Sequence, residues 1–527
     1  MVVRLSAILA VVFPFLILGD SAYGSDAQKL ADEIDRHIAR RWRETATAPV
    51  DRASDAEFLR RSYLDLTGRI PSVEEARTFL GDKRADKRAR LVETLLAGSR
   101  YVAHFTNVWR TWLLPEAGNN FQVKLQQGGF EAWLKEMLVR NAKYDEMARE
   151  LIAYPIEGGS EIDLFVGNGS GSPMPYYAAK EFKPENLAAG TARVFLGINV
   201  ECAQCHDHPF ASWKREQFWS YAAFFAGVKS KRTMDFILPE KEEKNKRELK
   251  IPGTERVARA RFLDGSEPAW KPEANGRTTL AEWMTGPNNP YFARAAVNRV
   301  WAYFFGAGLI DPVDEMVGGD HLASHPELLD LLAREFAAHH FDVKFLLRTI
   351  TASQTYQLTS ASTSTGPEDR ALFARMQLRG LTAEQLFDSV AMATGFRDSG
   401  GSDNILSGLL GNNRSARADF LTRFANQPER TTETETSILQ ALSLMNGKMI
   451  VAATSLERSE TLAAVVDAPF LGNEQRIETL YLASLSRKPE ARELSRAVQF
   501  VRKRASNEAF ADLFWALLNS PEFIVNH

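Results

Sequence analysis

The 527-residue chain is 45% apolar and 25% charged, the profile of a folded globular protein too long for one ordinary core. Its 64 basic and 67 acidic residues leave a net charge of -3. That balance excludes a global field favouring nucleic acid or an acidic membrane, and no nucleic-acid partner is expected.

The N-terminus reads as an export signal. Arg4 is a sparse positive region, Leu5 to Leu18 is an apolar run containing Pro14, and Ala22-Tyr23-Gly24 sets small residues where a signal peptidase cuts. The run is shorter than the ~20 apolar residues that span a bilayer. No later stretch is long and apolar enough to span. Residues 1–24 are expected to be a signal peptide, and the mature chain to work in the periplasm or outside the cell.

Residues 25–227 are expected to form a first helical domain. Leu30, Ile34, Ile38 and Trp42 recur at spacing four, which predicts an amphipathic helix over 26–44. Ser54-Asp-Ala-Glu57 resembles a capping box and opens a helix that Gly68 stops; Ser72 opens the next. Further helices are predicted over 84–96, 101–114, 130–139, 144–152, 184–196 and 217–225. Phe218, Tyr221, Ala222 and Phe225 lie on one helical face and read as core. Residues 228–276 break the pattern with charge runs, Pro and Gly. They predict a linker or small β insertion, with short strands at 249–251 and 257–262. Residues 277–527 are helical again. Predicted helices are 278–285, 289–305, 341–351, 367–376, 382–394, 437–444, 476–485 and 510–518, with one opened by Ser324 as N-cap ahead of Pro326 and Glu327. Residues 399–414 read as a Gly/Ser/Asn-rich loop. The fold class is therefore mainly α, two helical domains joined by an irregular linker with short β-strands.

The chemistry concentrates in Ile198-Asn-Val-Glu-Cys202-Ala-Gln-Cys205-His206-Asp-His208-Pro-Phe210, which holds the only two cysteines of the chain. Cys-x-x-Cys-His is the attachment pattern of haem c. In that reading Cys202 and Cys205 anchor the vinyl groups and His206 is the axial ligand of the iron. Met174 and Met234 are distal candidates by sequence proximity alone, and His208 stands too close to His206 to serve the opposite face. A zinc or iron site is the competing reading. Cys202, Cys205, His206 and His208 would be ligands, Asp207 an outer partner, and His321 or His325 an extra ligand. The plainest reading is a Cys202–Cys205 disulfide. Asp311, Asp314, Asp320, His321 and His325 form a second cluster, read first as helix capping and a solvated loop. The sequence shows no serine nucleophile elbow, phosphate loop or H-E-x-x-H motif, and no catalytic residue is assigned.

The stretch Cys202-Ala-Gln-Cys-His-Asp-His-Pro-Phe210, with Trp213 and the aromatic run 218–225, resembles a planctomycete-cytochrome-type domain of secreted proteins. Arg61-Ser-Tyr-Leu-Asp-Leu-Thr-Gly68-Arg-Ile-Pro71-Ser resembles its N-terminal signature. Four stretches resemble its habitual C-terminal partner domain of unknown function. They are Asn289 to Trp301, Gly308-Leu-Ile-Asp-Pro-Val-Asp314, Ser324-His-Pro-Glu-Leu-Leu-Asp330 and Ala516-Leu-Leu-Asn-Ser-Pro-Glu-Phe523. The resemblance implies a domain pair with its boundary inside 228–276. Three functions follow as expectations: a haem c protein exchanging electrons with a redox partner, a zinc- or iron-binding scaffold or hydrolase acting on extracellular polymers, or a non-catalytic envelope interaction protein.

Overall fold

The computed structural model describes residues 18–118, 120–159, 171–207, 213–233, 236–272, 274–317, 323–361, 370–397, 415–424, 448–504 and 506–527. These are mainly α-helical, with three short antiparallel strand pairs among the described residues. No helix among them is long and apolar enough to cross a membrane.

Local signals place most helices. The first runs Leu18–Glu44 and buries Leu30, Ile34 and Ile38, while the Trp42 indole donates to the Leu372 carbonyl at 2.7 Å. Ser54 Oγ accepts the Glu57 N–H and opens Asp55–Thr67. Gly68 closes that helix at a φ of 70°, where a side chain would also collide with the His104 ring. Ser72 and Glu75 form a reciprocal capping box at the start of Val73–Gly81. Phe292–Phe305 ends at Gly306, again left-handed.

Several expectations need correction. The cap of Pro326–Ala338 is His325, one residue later than expected, because Ser324 Oγ is turned back to the Leu309 carbonyl at 3.1 Å. Residues 370–376 form only a 3-10 turn, Arg370–Leu372, instead of a helix. The helix expected over 184–196 is Pro184–Thr191 followed by a π-turn, Ala192–Leu196. The helix expected from 130 already begins at Phe121, where Asn120 Oδ1 caps the Val123 N–H. Helices Glu460–Asp467 and Ala491–Arg504 were not predicted. In the irregular stretch, Glu248–Lys250 pairs with Val257–Arg259 as expected, and a hairpin that the sequence did not signal, Ser230–Thr233 with Phe236–Pro239, precedes it. The helix expected over 437–444 and the loop 399–414 lie outside the described residues.

Two cores result. The larger draws on residues from Ala27 to Met376 and on Leu482, so both sides of the 228–276 stretch share it. Tyr144 stacking on Phe292 at 4.8 Å is one such contact. The smaller core is built from 381–523 but includes Leu64 and Ile70. Fully buried polar groups join the cores. Arg60 donates to the carbonyls of Ser484 and Phe523, and Arg61 to those of Tyr356 and Leu358. Asp65 accepts from Arg379 Nη2, Tyr356 Oη and Asn526 Nδ2 at 2.7–2.8 Å. Buried Arg277 pairs with Glu242 and so fixes the irregular stretch to the larger core.

Candidate functional site

The cysteine turn is built from both halves of the chain. After the π-turn, Gly197 reverses the backbone at a φ of 66°. A side chain there would strike the Met316 sulfur. The Met316 N–H donates to the Gly197 carbonyl at 2.9 Å, and Ile198 bridges Glu315. Trp213 Nε1 donates to the Val317 carbonyl. Behind this loop, Arg299 donates to the Arg193 carbonyl at 3.0 Å and pairs with Asp314. The segment around 314–317 thus lies directly under the approach to the cysteines.

Glu201–Gln204 forms a 3-10 turn that buries Ala203 and leaves Cys202 and Cys205 exposed, with the sulfurs unjoined. The Gln204 carbonyl accepts from Trp219 Nε1 at 3.0 Å and Arg215 Nε at 3.3 Å. The Asp207 carboxylate accepts from the Arg215 N–H at 3.0 Å and from Lys214 Nζ at 3.1 Å. These two donors hold its carboxyl below the usual range. His206 is exposed, and its Nδ1 lies 2.8 Å from the Asp207 carbonyl. Because a carbonyl only accepts, Nδ1 is the donor in this contact, and in the neutral ring the lone pair is then on Nε2. In that form Nε2 is free to ligate a metal ion or a haem iron while Nδ1 is held by the backbone.

The donor set therefore fits a haem c anchored at its periphery. Two accessible thiols stand one turn apart, and the neighbouring imidazole offers Nε2. Among the described residues, no three His, Cys, Asp or Glu side chains are gathered closely enough to hold a metal ion. His325 is buried, bonded to Ser324 Oγ at 3.0 Å and packed on Phe373. His208, Asp320, His321 and Met234 lie outside the described residues. Asp314 serves an ion pair with Arg299. Met174 is half-buried against the larger core. Met316 was missed in the sequence because it lies more than a hundred residues beyond the turn it touches. Phe218, Tyr221 and Phe225 are buried core, as their spacing predicted.

Fold and site together define an α-helical protein whose outward Cys-x-x-Cys-His turn is braced by a second, C-terminal segment. The family comparisons divide the chain in the same order. The PSCyt2 model, described as a protein of unknown function (DUF1549), matches residues 33–230. The PSD1 model, described as a protein of unknown function (DUF1553), matches 276–406 and 409–501. The chain belongs to the proteins that carry this pair of domains. No curated protein and no solved structure matches it.

Proposed function

We propose that this is an exported protein of the periplasm or cell exterior that carries haem c on the Cys202–His206 turn and passes electrons to a redox partner. The observation that carries this reading is the 2.8 Å contact of His206 Nδ1 with the Asp207 carbonyl, which leaves Nε2 facing away from the backbone, beside two exposed, unjoined thiols. Covalently bound haem supplies a one-electron couple. The chain's own residues have separate tasks. Cys202 and Cys205 would anchor the group, and His206 would offer Nε2 as its iron ligand. The Gln204 and Asp207 bonds to Trp219, Lys214 and Arg215 keep the turn from moving. A haem bound through Cys202 and Cys205 would ask only one iron ligand, His206, of the turn. The Leu5–Leu18 run supports export, which also brings the thiols to the compartment where haem c is attached.

The test is purification after export from a host with haem c maturation. A haemochrome spectrum and a covalent mass gain are expected, both lost in Cys202→Ser/Cys205→Ser. A colourless protein with stoichiometric zinc or iron overturns haem in favour of the metal site. A colourless, metal-free protein overturns both.

A further inference from the structure

A pocket of about 340 Å³ opens where the two family segments meet, with walls from the helices Ser99–Leu113, Phe292–Phe305 and Ala383–Thr394. Its size is in the range that takes small molecules, and the seam between segments is a common place for such sites. None of Cys202, Cys205 and His206 lines it.

The pocket floor is the polar hub around Asp65. Tyr303 Oη donates to the Asp65 carbonyl at 2.7 Å and lies 2.7 Å from His104 Nε2. Arg379 and Asn526 both bond the Asp65 carboxylate. The floor is thus fixed before any ligand arrives. Most of the lining charge is already matched: Arg379 by Asp65, Arg299 by Asp314, and Glu384 by Arg110. Three lining side chains differ. Arg370 is exposed, and among the described residues it, Asn107 and Gln377 make no side-chain hydrogen bond or ion pair. Asn526 adds a buried Oδ1 that has no partner, an arrangement that costs free energy until a donor arrives.

From this complement we infer that the pocket binds a small, hydroxyl-rich carboxylate of the sugar-acid class. Amide groups pair with hydroxyls as both donors and acceptors. One unmatched guanidinium suits one carboxylate, which it can grip with two parallel bonds. A phosphate dianion would call for more unmatched cations than the lining offers. An apolar ligand would strand the amides of Asn107 and Gln377 without water.

The test is calorimetric titration of the full chain with D-glucuronate, D-galacturonate and D-gluconate, with D-glucose and inorganic phosphate as comparators. Saturable binding of at least one acid is expected at millimolar concentration or below, with D-glucose weaker by about tenfold. Arg370→Gln should weaken the acid by about tenfold as well. Asn107→Ala/Gln377→Ala should weaken both the acid and D-glucose. Cys202→Ser/Cys205→Ser should bind the acid like the parent, which separates this site from the cysteine turn. The inference is overturned if none of the three acids binds, if phosphate or D-glucose binds as tightly as the best acid, or if Arg370→Gln leaves its affinity unchanged.

Discussion

The hub around Asp65 and the turn around Cys202 are both assembled from distant parts of the chain, but they place their polar groups in opposite settings. At the hub, Arg60, Arg61 and Asp65 are fully buried, and carbonyls, hydroxyls or counter-charges surround them. At the turn, only Ala203 faces inward; the thiols and the imidazole stand in solvent, and the binding partners hold backbone and rim. A buried charge that loses its partner is costly, whereas an exposed thiol can change its chemistry without disturbing the fold. The first region binds the two family segments together, and the second leaves reactive groups available.

The contrast is sharpest when Asp65 is removed. Asp65→Ala strands Arg379, Tyr356 and Asn526 in the interior, and urea unfolding should show a loss of about 3–5 kcal/mol. A loss under about 1 kcal/mol would mean that the hub does not bear the join.

Acid should attack the same region. Burial pushes His104 down to about 4 and His527 likewise to about 4. Both values lie below the unfolded value near 6.5, so the unfolded chain takes up these protons first. Stability is then complete above about pH 6.5 and declines toward pH 4, by about 3 kcal/mol for His104 alone. Unfolding free energy measured between pH 7 and 4.5 should fall accordingly, and His104→Gln should flatten the slope. A slope unchanged in that variant would remove His104 from the account.

Ser72→Ala deletes the capping box of Val73–Gly81 and should cost about 1 kcal/mol by the same unfolding assay. The smallest stability effect belongs to the turn. Cys202→Ser/Cys205→Ser should stay within about 0.5 kcal/mol of the parent when both are measured without a bound group, and the proposed haem attachment should be lost. A large destabilisation there would erase the distinction between the two regions.

Much of the helical scaffold was legible because its signals are local. Ser54 with Glu57, Ser72 with Glu75 and Gly306 after an aromatic run each act within one turn of the backbone, and each stands where its spacing predicted. The failures have local causes too. Ser324 was a plausible cap, but the Leu309 carbonyl, brought close by the fold, takes its hydroxyl. Ala491–Arg504 was missed because its apolar stripe, Ala497, Val498 and Val501, is thin among many charges. At the candidate site, the exposed grouping of Cys202, Cys205 and His206 follows from their adjacency in sequence. The contact of His206 Nδ1 with the Asp207 carbonyl and the brace by Met316 could not be read there, since they depend on a carbonyl direction and a contact across the chain. The signature Arg61 to Gly68 was visible as a resemblance, yet only the structure shows Arg61 and Asp65 meeting Tyr356, Arg379 and Asn526.

The bond from Met316 to Gly197 has a bearing on inheritance. A gene cut anywhere within 228–276 would separate the cysteines from the loop that underlies them, and would divide a core fed from both sides. Selection acting on the turn therefore bears on both matched segments of this chain at once.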